Sequence, residues 1–134
     1  MIGGIIITHG ELGKELLNVL SYILGETPPI EALSLGWFDD ADKAKKQIKD
    51  CIKRVNKGNG VIIFTDMFGG TPSNISFSFL KENEIEIITG TNLPMLIKFS
   101  SIQNRKNLKD VAEEIRNYGF DSIQLASSLL NIKK

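Results

Sequence analysis

Cysteine is nearly absent from this chain: Cys51 is the only one in 134 residues. That excludes an intrachain disulfide, and one thiol by itself builds no thiolate metal site. Histidine is as scarce, so any histidine chemistry has a single place to occur, His9. Net charge is lacking too, with 16 Lys+Arg against 16 Asp+Glu, and with it the basic footprint of a nonspecific nucleic-acid binder. Uninterrupted apolar runs reach only about four or five residues, where a membrane-spanning helix needs roughly 18–20. Met1-Ile2-Gly3-Gly4 carries no positive n-region of a signal peptide. A cytoplasmic protein is expected, with residues 1–134 forming one domain around one core, since no linker or repeat divides them.

What is present alternates between two periodicities. Residues 2–8 read as a buried strand, in which Gly3 and Gly4 imply a closely packed neighbour. Glu11 to Leu24 carries a wide helical stripe of Leu12, Leu16, Leu17, Val19, Leu20, Ile23 and Leu24, stopped by Gly25. Ile30–Leu35 is a second strand. A helix capped by Asp39 or Asp40 then runs to Val55, with Cys51 on its apolar side and a solvated lysine face of Lys43, Lys45, Lys46, Lys49 and Lys53. The third strand, 61–64, leads through glycines into a helix expected to take Thr71 as its N-cap, hold Pro72 in its first turn and end near Glu82. A fourth strand over 85–88 and a helix beginning at Leu93 follow. Leu108, Val111, Ala112 and Ile115 mark another helix, which Gly119 is expected to stop as a C′ glycine. Asp121–Leu125 reads as a last short strand. The order predicts an α/β fold, a doubly wound and mainly parallel sheet with helices on both faces.

In such a sheet the loops after the strands share one edge, and ligands sit where the strand order reverses. An order 2-1-3-4 puts that point between the strands that deliver His9 and Asp66. A carboxylate accepting a hydrogen bond from one ring N–H fixes the histidine tautomer, leaves the other nitrogen to act as nucleophile, and stabilises positive charge on the ring. The start of a helix at Thr71 suits an anion, and the glycines allow the backbone to come close. Plainer readings also fit these residues. His9 could be a turn or packing residue, Asp66 a turn cap, and Trp37 and Phe38 loop anchors instead of an apolar patch for a partner.

Three stretches together resemble the IIA domain of the mannose-family bacterial sugar phosphotransferase system (PTS). They are Thr8-His9-Gly10, Thr65-Asp66-Met67-Phe68-Gly69-Gly70-Thr71-Pro72-Ser73-Asn74 and Gly90-Thr91-Asn92-Leu93-Pro94-Met95-Leu96, and the likeness covers nearly the whole chain. It implies a phosphotransferase function. His9 takes a phosphoryl group from the phosphocarrier HPr and passes it to a IIB component, Asp66 orients His9, and Thr71 steadies the phosphoryl group. Gly10, Met67, Phe68, Gly69 and Gly70 would form the surrounding loops, with no metal or cofactor. The resemblance further implies a C-terminal antiparallel edge strand, matched by Asp121–Leu125, exchanged within a homodimer. It also implies a IIB acceptor on a separate chain and an indirect tie to the IIC/IID permease at the inner membrane.

Three alternatives stand beside it. One is a regulatory relative not directly coupled to transport. Another is the phosphoryl donor of a dihydroxyacetone kinase, whose corresponding loop lacks the Gly-Gly-Thr-Pro run. The third is a receiver-like domain phosphorylated on Asp66, which would need an acidic pair at the end of the first strand to hold Mg²⁺. Thr8-His9-Gly10 stands there instead.

Overall fold

Isoleucine dominates the centre of the molecule, because the two central strands are short runs rich in β-branched residues and buried on both faces. A computed structural model describes residues 1–36 and 40–130. The strands are β1 (Gly3–His9), β2 (Ile30–Leu35), β3 (Val61–Thr65) and β4 (Ile85–Ile88), all parallel in the order β2-β1-β3-β4. In β1, Ile5, Ile6 and Ile7 have no exposed surface, and the same holds for Val61 to Thr65 of β3. Period-2 alternation then splits these side chains between two cores. Ile6, Ile62 and Phe64 face α1 (Leu12–Leu24), α4 (Leu93–Ile102) and α5 (Leu108–Asp121). Ile5, Ile7 and Ile63 face α2 (Ala41–Val55) and α3 (Thr71–Phe77).

Packing explains the early glycines. A methyl group at Gly4 would lie 2.5 Å from Cε2 of Phe99, and one at Gly3 would lie 2.4 Å from the Val55 carbonyl oxygen. Phe99 is fully buried and its ring meets that of Phe64 at 5.2 Å between centroids. Truncating such a side chain to alanine costs about 3–5 kcal/mol. On the other face α2 is held by the Asp40 side chain, which accepts from the Asp42 N–H at 2.8 Å. It buries Ala44, Ile48, Cys51 and Val55. The Cys51 thiol is pushed up to about 12, first by burial and then by the neighbouring Glu31 carboxylate. It is a packing residue.

Four expectations are revised. The first concerns the cap of α3: the Gly70 carbonyl accepts the first helical bond, from Asn74 N–H at 3.0 Å, so Gly70 is the N-cap and Thr71 the first helical residue. The helix also ends early, at Phe77. The Ser76 and Ser78 hydroxyls bond back to the Pro72 and Ile75 carbonyls, and the chain tightens into three-residue turns as far as Leu80. Serine's backbone-directed hydroxyl competes with helix continuation there.

Gly119 does not stop α5 but lies buried inside it, where a methyl group would come within 2.3 Å of Met95 Cγ. It is glycine so that α5 can touch α4. Finally, Asp121–Leu125 forms no strand among the described residues. Asp121 closes α5, the Ser122 and Ile123 N–H groups continue its turns, and Leu125 leads into a short α6 (Ala126–Leu129). Local turns take up the N–H groups of Ser122 and Ile123, and among the described residues the segment pairs with no strand.

Candidate functional site

Two neighbouring strands deliver the polar residues of the site. His9 is the last residue of β1 and Asp66 follows β3 directly. The register pairs Ile7 with Thr65, so both chains leave the sheet at the same level. The end of β1 is fixed on two sides. The Thr8 hydroxyl accepts the Gly13 N–H at 2.6 Å, tying down the start of α1, and the Gly10 N–H donates to the Leu35 carbonyl at 3.1 Å. The end of β3 is fixed through its carbonyl: Thr65 oxygen accepts both the N–H (3.1 Å) and the hydroxyl (2.7 Å) of Thr91. Thr8 and Thr91 lie in the sequence motifs, but their bracing role is visible only in three dimensions.

Asp66 turns one oxygen wholly toward His9. Its Oδ2 lies 2.7 Å from the ring Nδ1 and accepts the His9 backbone N–H at 3.1 Å, while Oδ1 accepts the Met67 N–H at 3.1 Å. An ionised carboxylate only accepts hydrogen bonds, so Nδ1 carries the proton. Burial raises the Asp66 pKa. The hydrogen bonds from the His9 ring and backbone N–H, with the positive charge of the ring, outweigh it and hold the carboxyl below its ordinary 3.8. Asp66 is therefore ionised at neutral pH. Its side chain is 11% exposed and that of His9 25%, an arrangement that shields the carboxylate while leaving part of the ring at the surface.

The glycine loop closes over the remaining side of the ring. Gly70, at φ +83°, ψ 169°, sits in a backbone region essentially reserved for glycine. A methyl group there would meet Cε1 at 3.0 Å and Nε2 at 3.1 Å of His9. Gly69 has a positive φ as well, but a methyl group there would meet none of the described residues within 4 Å. Thr71 is exposed at the first turn of α3 and makes no side-chain capping bond. Met67 and Phe68 are exposed beside the loop, Phe68 with its ring 5.9 Å from that of Phe77. His9, Asp66 and Gly70 are thus brought together, with Gly10, Gly69 and Thr71 adjoining them in the chain. Trp37 and Phe38, read as a partner surface, lie outside the described residues. Among the described residues no three His, Cys, Asp or Glu side chains group as metal ligands, and the Asp66 carboxylate is engaged by His9.

Residues 3–116 match the family EIIA-man, described as PTS system fructose IIA component. A fructose-specific EIIA component of the PTS of Bacillus subtilis (strain 168) is 28% identical over 131 residues, 97% of this chain and 90% of that one. A solved PTS IIA protein associated with the fucose utilization operon of Streptococcus pneumoniae superimposes with a TM-score of 0.80 at 26% identity, covering 96% of each chain. The EIIA of Streptococcus agalactiae gives a TM-score of 0.84 over 96% of this chain and 99% of that one. At 21% identity that last likeness speaks for the fold alone.

Proposed function

Since the chain belongs to the EIIA-man family of phosphotransferase-system IIA components, we propose that His9 is its phosphoryl carrier, loaded by HPr and unloaded onto a IIB component during sugar uptake. The observation that carries the reading is the 2.7 Å bond from the only histidine to Asp66. With the proton held on Nδ1, the lone pair of the neutral ring is on Nε2. Nε2 attacks phosphorus in line, the bond between phosphorus and the donor breaks, and its electron pair leaves with the donor. The ring becomes positive as the N–P bond forms, and the Asp66 carboxylate stabilises that charge. Transfer to the IIB component is the same displacement with the phosphorylated His9 as donor. Thr71 and the N–H groups opening α3 supply donors for the phosphoryl oxygens, and the step requires no metal from this chain.

The sugar is set elsewhere in this reading. The relatives above are associated with fructose and with fucose utilization, and a subunit that handles only a phosphoryl group has no sugar to recognise. The protein works in the cytoplasm as a homodimer, reaching the membrane through the IIB component and the IIC/IID permease. None of the described helices is long and apolar enough to cross a membrane itself.

The test is labelling from phosphoenolpyruvate with enzyme I and HPr supplied, followed by transfer to candidate IIB proteins. The wild-type chain should take up label and His9→Ala none. Undiminished labelling of His9→Ala would overturn the assignment.

A further inference from the structure

Gly70 does more than turn the chain. Among the described residues beyond its chain neighbours, only Cε1 and Nε2 of His9 would come within 4 Å of a methyl group placed there. A methyl stacked above the imidazole would also approach Nδ1 or Cδ2, because ring atoms are closely spaced. Contact with these two adjacent atoms alone excludes a position stacked over the ring and puts the methyl on the side of its Cε1–Nε2 edge. The Nε2 lone pair points outward from the ring beside that edge. The oxygens of a phosphoryl group bonded to Nε2 would need the same volume.

We propose that Gly70 is the residue that determines access to His9: its missing side chain is the space a phosphoryl group enters to reach Nε2. This rests on the carrier reading and adds a distinct claim, that the loop reserves a volume as well as providing backbone donors. Gly69 separates the two roles. It has a comparable positive φ of +88°, yet a methyl group there would meet none of the described residues within 4 Å. A positive φ is therefore shared by the two positions, and of the two only Gly70 would clash with His9.

Three measurements test this. In HPr-dependent labelling, Gly70→Ala should be slowed at least about tenfold beyond Gly69→Ala, since displacing a reacting group by an ångström costs rates of this order or more. Equal rates for the two variants would overturn the proposal. Carbethoxylation with diethyl pyrocarbonate reads the same volume without a protein partner. His9 is the only histidine, so the difference absorbance reports on it alone, and Gly70→Ala should react more slowly than Gly69→Ala. If wild-type protein took no label from HPr, the carrier reading would fall and carbethoxylation would still decide the steric claim.

The third measurement is a stability cycle, which holds even where Gly70→Ala is poorly folded. Removing the ring removes the clash, so Gly70→Ala should lower the urea midpoint less in a His9→Ala background than in wild type. The shift caused by Gly69→Ala should be the same in both. Equal shifts for Gly70→Ala in the two backgrounds, or failure to fold in both, would show that the clash lies elsewhere and refute the assignment.

Discussion

At Asp66 a single carboxylate accepts three hydrogen bonds, two of them from His9. Asp66→Asn preserves the shape but removes the charge that fixes the tautomer and that, in the carrier role proposed above, stabilises the phosphorylated ring. Labelling from HPr should slow by roughly 100-fold or more, as when a triad aspartate loses its charge. A pH dependence accompanies this. Because the folded carboxyl titrates below its unfolded value, the native state binds fewer protons in acid. Its stabilising contribution is complete above the ordinary carboxylate range of about pH 4 and disappears as pH falls below it. Urea midpoints for wild type and Asp66→Asn should therefore differ at pH 6 and converge toward pH 3. A difference independent of pH would refute the linkage. This pairing was readable in outline, since both residues end parallel strands on one sheet edge. The bond lengths and the choice of Nδ1 come from the register of β1 against β3.

Between helices, glycine chemistry was easier to notice than to interpret. Gly119 after an apolar repeat looks like a helix stop, because a left-handed C′ glycine leaves the same trace in sequence as one chosen for close packing. The contact with Met95 decides between them. Gly119→Ala would gain about 1 kcal/mol of helix propensity, but it places a methyl group against Cγ and Cε of Met95 at 2.3 and 2.5 Å. Overpacking of this kind costs about 1–3 kcal/mol, so net destabilisation near 1 kcal/mol is expected in urea unfolding. In a Met95→Ala background the same substitution should become neutral or stabilising. Helix α3 carries a related lesson. Ile75, Phe79 and Leu80 have helical spacing, yet Leu80 is 58% exposed, because the serine hydroxyls end the regular helix before it.

Across the whole molecule, the C-terminal end stands out as unfinished when the chain is alone. Phe120, Ile123, Leu125, Leu129 and Leu130 are each more than 60% exposed, a density of bare apolar side chains that marks an association surface. The homodimer proposed above would cover it. Light scattering should give twice the chain mass of 14.9 kDa, and removing residues 123–134 should give a monomer that still folds, since the two cores are built from residues before Asp121. A monomeric full-length chain would refute the dimer.

The sequence alone determined the alternation of strands and helices, the parallel sheet and the convergence of His9 and Asp66 on one edge. Each follows from local periodicity and chain direction, which are properties of neighbouring residues. Tertiary structure alone decided that Gly70 borders the ring edge, that Gly119 serves packing, and that residues 121–125 close a helix in the single chain. Those outcomes depend on the partner each residue finds: a histidine 61 positions away, a methionine on another helix, and the carbonyls of α5 that take the Ser122 and Ile123 N–H groups.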